Sequence, residues 1–119
     1  MPEPTPIEIK ATREFKRKVQ LLSKKYPHLQ TDLQPILEKL RLGETLGDRL
    51  SGIKYIAYKV RIKNTDIQKG KSGGYRLIYW LKITDGIVLL DIYTKSEQDD
   101  ISIVKIKQII TNFESEKFL

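Results

Sequence analysis

The feature that most constrains this chain is a change of hydrophobic period near residue 44. Before it, apolar residues recur at helical spacing. Phe15, Val19 and Leu22 form one stripe within residues 11–26, and Leu33, Ile36, Leu37 and Leu40 form a second. After it the period is two, in three β-branched and aromatic runs at residues 55–63, 75–83 and 87–94. Side chains recur on one face every three to four residues of a helix but every second residue of a strand, so the change separates a helical half from a sheet half.

Local signals place the boundaries. Ile7 and Ile9 alternate within residues 5–9 as a short first strand, and Pro27 stops the first helix because it disfavours helical geometry at Tyr26. Thr31 and Gln34 have capping-box spacing and predict the start of the second helix, with Pro35 in its first turn and Gly43 closing it. The Thr-Asp-Gly at residues 84–86 predicts a hairpin turn in which Gly86 adopts positive φ. Ile103, Ile106, Ile110 and Phe113 return to helical spacing in a last helix over residues 101–113. The expected fold is α+β, in the order β-α-α-β-β-β-α, with a mostly antiparallel sheet packed on an N-terminal helical hairpin. All 119 residues form one domain, with a length suited to a single core.

Composition narrows the function. No cysteine and a single histidine, His28, exclude disulfides, thiolate metal sites and histidine-rich catalytic centres. His28 itself reads as a loop residue beside Pro27. No apolar run reaches the length of a membrane span, and the acidic, proline-containing start lacks the pattern of a secretory signal, so a cytoplasmic protein without membrane partners is expected. The net charge of +7 is concentrated. Residues 54–82 hold eight basic residues and one acid, Asp66, while the rest of the chain holds fourteen of each sign. A localised surplus of this kind points to an anionic partner, most often nucleic acid.

Strand parity sorts these charges. Ile56, Tyr58, Val60 and Ile62 face the helices, leaving Lys59, Arg61 and Lys63 on the opposite face. In the next strand Tyr75, Leu77, Tyr79 and Leu81 suit the core, which predicts Arg76 on the open face. In the last strand Val88, Leu90 and Ile92 suit the core, with Asp91, Tyr93 and Lys95 opposite. Pairing in sequence order then brings Lys59, Arg61, Lys63, Arg76, Tyr93 and Lys95 to one surface. Trp80 and Tyr79 are candidate base-stacking surfaces, with core packing favoured for Tyr79. The Gly-Lys-Ser at residues 70–72 resembles the end of a nucleotide-binding loop, but Thr65 stands where the first glycine is required and a strand follows instead of a helix. It reads as a turn between cationic strands.

The segments KVRIKN, KGKSGGYRLIYW and IVLLDIYTKSEQDDIS resemble the RelE/ParE superfamily of toxins from bacterial type II toxin–antitoxin modules, nearest its RelE- and HigB-like branch. The resemblance extends over nearly the whole chain. It implies a RelE-like fold and a ribosome-dependent mRNA endoribonuclease (an mRNA interferase) that inhibits translation through a cationic site using no metal or cofactor. It also implies a cognate antitoxin, mRNA and the ribosome as partners. By position, Arg76 matches the arginine of the family's Gly-Tyr-Arg strand, Lys59 and Arg61 match two basic positions on the preceding strand, and Lys95 falls near the basic residue after the last strand. The C-terminal tyrosine of RelE members is missing from NFESEKFL, leaving Tyr93 as its substitute, and the histidines of some HigB-like members are absent. Arg76, Arg61, Lys59, Lys95 and Tyr93 are therefore the expected catalytic residues, and Lys63, Lys69, Lys71 and Lys82 the expected RNA contacts. Two alternatives share the fold: a ParE-like inhibitor of DNA gyrase, and a non-catalytic RNA-binding relative.

Overall fold

A computed structural model describes residues 6–67, 73–82 and 86–116. Lys69, Lys71 and the Gly-Lys-Ser segment lie outside the described residues, as does the Thr-Asp part of the hairpin turn. The described chain runs β1 (Ile9–Ala11), α1 (Arg13–Lys25), α2 (Leu29–Arg41), β2 (Asp48–Arg49), β3 (Ala57–Ile62), β4 (Tyr75–Lys82), β5 (Gly86–Thr94) and α3 (Ile103–Glu116). The five strands form one mixed sheet in the order β1-β5-β4-β3-β2, with β1 parallel to β5 and every other pair antiparallel. The α+β class holds. The two-residue β2 is an addition to the expected order, and no described helix is long and apolar enough to cross a membrane.

Thr12 fixes the start of α1 and its place on the sheet. Its hydroxyl accepts from the Phe15 amide at 3.0 Å and donates to the Leu90 carbonyl at 2.8 Å, so one buried side chain serves as both cap and tether. At the other end, Gly43 and Glu44 close α2 by donating their amides to the carbonyls of Leu40 and Lys39.

The start of α2 departs from expectation. The helix begins at Leu29, not at the Thr31 capping box, which leaves Pro35 inside the helix rather than in its first turn. The physical reason is tertiary. Leu29 is fully buried, and Asp66, from the loop after β3, accepts the His28 amide at 2.9 Å. Asp32 in turn accepts both the amide and the hydroxyl of Thr65, at 3.0 and 2.8 Å. A distant carboxylate thus does the work that a local cap would do, and the exposed position of Pro35 leaves the carbonyl it cannot bond on the solvent side.

Each sheet face is covered. Phe15 and Leu22 of α1 and Leu29, Leu33 and Leu40 of α2 pack on Val60, Ile62, Tyr75, Leu77 and Tyr79. On the other face Ile106, Ile109 and Ile110 of α3 pack on Ile78, Trp80, Val88, Leu90 and Tyr93. The parity reading of β3 and β4 holds, with Tyr58, Val60 and Ile62 and the Tyr75, Leu77, Tyr79, Leu81 set all on the hairpin side. The reading of β5 is corrected. Ile78 pairs Asp91 while Tyr79 pairs Leu89, so Leu90 is an extra residue on β5. This β-bulge switches parity: Val88 and Leu90 face α3, whereas Ile92 faces the helical hairpin. It is also what keeps Tyr93 on the same face as Arg76.

Candidate nucleic-acid interface

The register of the central strands sets out the site. Arg61 of β3 pairs Arg76 of β4, and Arg76 pairs Tyr93 of β5, giving one cross-strand row. Directly opposed residues in a sheet hold their Cβ atoms about 4.5–5.5 Å apart, so the two guanidinium groups and the phenol are neighbours. One row along, Lys59 pairs Ile78, and Ile78 pairs Asp91.

Arg76 lies on the expected face, but that face is not open there. It is only 5% exposed and donates to the carbonyls of Gly74 and Tyr75 at 3.4 and 3.3 Å. Burial, with the neighbouring charge of Arg61 second, lowers its pKa from the ordinary arginine value. Parity alone predicts the side; it does not reveal that the side chain is buried there. Tyr93 is buried as well, at 3% exposure. Desolvation, and then the adjacent charge of Asp100, push its phenol well above the usual tyrosine range, so it holds its proton at neutral pH.

Asp100, which sequence reasoning passed over, joins this cluster. Its Oδ1 receives the Ile101 amide at 2.8 Å, the Tyr93 hydroxyl at 3.2 Å and Lys59 Nζ at 3.4 Å. The Ile101 amide, followed by the charge of Lys59, outweighs desolvation and holds the carboxyl below its ordinary value. The sequence signal was its place in the acidic SEQDD stretch, which reads simply as a lead into the last helix.

Other expected residues scatter. Lys95 follows β5 and donates its backbone amide to Gly74, while its Nζ reaches the Asp99 carbonyl at 3.3 Å. It connects to the row through the Asp99–Asp100 pair of neighbours. Lys63 is exposed beyond the end of β3, along a cleft shared with Asp32 and Pro35. Lys82 lies six residues along β4 from Arg76, about 20 Å at the rise of a strand. There it bonds Glu114 of α3 at 3.2 Å and sits over the Trp80 ring. Neither aromatic candidate offers an open stacking surface. Trp80 is 5% exposed, and Tyr79 is buried with its hydroxyl donating to the Leu46 carbonyl at 2.6 Å and accepting the Leu46 amide at 2.9 Å. His28 is more than a loop residue: its Nδ1 lies 2.7 Å from Asp66 Oδ1.

Compared with protein-family models and with curated proteins, the chain matches none.

Proposed function

We propose that the chain is a toxin of a type II toxin–antitoxin module with a RelE-like fold, and that it cleaves mRNA on the ribosome by 2′-hydroxyl attack. The observation that carries this reading is the Arg61–Arg76–Tyr93 row, with Lys59 beside it. Side-by-side guanidinium groups repel, and the pKa of Arg76, lowered first by burial, is lowered further by the charge of Arg61. A phosphate relieves the repulsion, because a guanidinium fork matches phosphate oxygens and stays charged.

The reaction needs the 2′-oxygen to form a bond to phosphorus and lose its proton, and the bond from phosphorus to the 5′-oxygen to break as that oxygen gains one. Arg61 and Arg76 suit the pentacoordinate dianion between these events, Arg61 from the exposed end of the row and Arg76, buried in the free chain, once bound RNA has opened its surroundings. Tyr93 retains its proton at neutral pH and sits next in the row, which supports it as the acid that protonates the departing 5′-oxygen. Lys59 and Lys95 add positive charge around the site. A cognate antitoxin, the mRNA and the ribosome are the partners this reading requires, with action in the cytoplasm.

The test is induction in growing cells with transcriptome-wide mapping of mRNA 5′ ends. Cuts in phase with codons in translated messages support the reading. Intact messages accompanied by DNA breakage select the gyrase-inhibitor alternative.

A further inference from the structure

Three donors from three different places in the chain converge on one oxygen atom. Lys59 comes from β3, Tyr93 from β5 and the Ile101 amide from the turn before α3, and all reach Asp100 Oδ1 within 3.4 Å. Donors gathered in this way on a single anionic oxygen constitute an anion-binding position. Two of them belong to the arginine site: Tyr93 ends the row, and Lys59 lies one row along. The carboxylate they hold is ionised, because the Ile101 amide and Lys59 keep its pKa depressed. It is also detachable: the Asp100 side chain is 64% exposed, against 26% for Lys59, so rotation carries it into solvent without disturbing the core.

We infer that this is an anion subsite of the interface, and that Asp100 is a built-in competitor holding the place of an incoming phosphate oxygen. The identification of that anion as an RNA phosphate rests on the ribonuclease reading proposed above; the convergence of donors does not. Binding of the phosphate displaces the carboxylate from Lys59 and from the Tyr93 hydroxyl. Lys59 thereby gains a new anionic partner, and the phenol proton is released from Asp100 toward the substrate. Asp100 is thus a positioning residue that acts through Lys59 and Tyr93, and it sets how strongly a polyanion must compete to enter.

The experiment is an NMR titration of the full chain with inorganic pyrophosphate, followed at the amides of Lys59, Tyr93 and Ile101. Asp100→Asn removes the charge but keeps an oxygen able to accept the Ile101 amide, so the turn before α3 is retained, as an unchanged melting curve will verify. The variant is expected to bind pyrophosphate about two- to fivefold more tightly, the range that one exposed ion pair is worth. Adding Lys59→Gln to it erases the gain. Glu97→Gln removes the same charge from a nearby residue paired with Lys25 and leaves the affinity as in the wild type. No tightening in folded Asp100→Asn, or an equal gain in Glu97→Gln, overturns the inference. Mapping of mRNA 5′ ends in growing cells separates the two claims: tighter pyrophosphate binding in Asp100→Asn with no codon-phased cuts by the wild type upholds the subsite and removes the ribonuclease reading.

Discussion

Arg61 and Arg76 are direct cross-strand partners on one face of the sheet. Like charges placed opposite one another destabilise a sheet, by up to about 1 kcal/mol on the scale of such pairs. The arrangement therefore opposes the fold and favours an anionic ligand. Arg61→Gln should raise the melting temperature slightly while reducing cleavage, as read by calorimetry and an RNA-cleavage assay on the same preparation. Arg76→Lys retains the charge but loses the fork, and cleavage should fall about 10²- to 10³-fold, the loss typical of removing a donor aimed at transition-state charge. Unchanged or raised activity in either variant contradicts the assigned roles.

The clasp between His28 and Asp66 makes stability depend on pH. His28 is raised from its ordinary value of 6.5, first by its hydrogen bond to Asp66 and then by that residue's charge, with Asp32 adding a smaller push. Asp66 is lowered from 3.8 by its bonds to the His28 ring and amide. The histidine contribution is therefore fully present below pH 6.5 and lost as pH rises through its higher folded pKa. The aspartate contribution is present above pH 3.8 and lost as pH falls through its lower folded pKa. Thermal melts should show the wild type losing stability above pH 6.5 relative to His28→Gln, and the two curves should run parallel if the clasp is irrelevant.

Lys18 and Asp91 form the principal ion pair between α1 and β5, with Nζ 2.9 and 3.1 Å from the two carboxylate oxygens. Asp91 is fully buried, and desolvation raises its pKa from 3.8 even against the pull of Lys18. Lys18→Met leaves a buried charge uncompensated and should destabilise the fold by about 3 kcal/mol at neutral pH in chemical denaturation. Because the folded pKa of Asp91 is raised, acidification protonates the native state first and should return part of that loss. An unchanged denaturation midpoint at neutral pH contradicts this role.

Gly74, the residue before β4, lies close against the end of β3. A Cβ there would lie 2.1 Å from the Ile62 carbonyl, two residues ahead of Arg76 in the chain. Gly74→Ala must push the strands apart, at a cost of about 1–3 kcal/mol for forced overpacking. It should lower cleavage in the fraction that remains folded, because the Arg61–Arg76 pairing is disturbed with it. Full cleavage at unchanged stability would show that the row tolerates displacement.

Much of this fold is legible along the chain, and the reasons for the rest are physical. The alternation of Lys59 and Arg61 with Val60 and Ile62 assigns faces correctly because β3 is regular, and pairing in sequence order puts Arg61 and Arg76 on one face, but the register that makes them direct partners is not written in the pattern. The Leu90 bulge is invisible because all of residues 87–90 are apolar, so either parity satisfies the pattern. The start of α2 eludes the local capping rule because its cap, Asp66, lies 38 residues away. Asp100 is passed over for a similar reason: its partners Lys59 and Tyr93 come from other strands, and an acid ahead of a helix has an ordinary local explanation. Sequence patterns report what neighbours along the chain impose, whereas the burial of Arg76 and the hold on Asp100 come from residues distant in the chain.

The central claim is tested most directly by the chemistry of the cut. A defined mRNA translated on reconstituted ribosomes is incubated with the purified chain, and the new 3′ ends are examined for a 2′,3′-cyclic phosphate. The account predicts cyclic-phosphate ends at codon-phased positions with the wild type, and loss of these products with folded Arg76→Lys. Uncut message, or products ending in a 3′-hydroxyl with a 5′-phosphate on the downstream fragment, would contradict it.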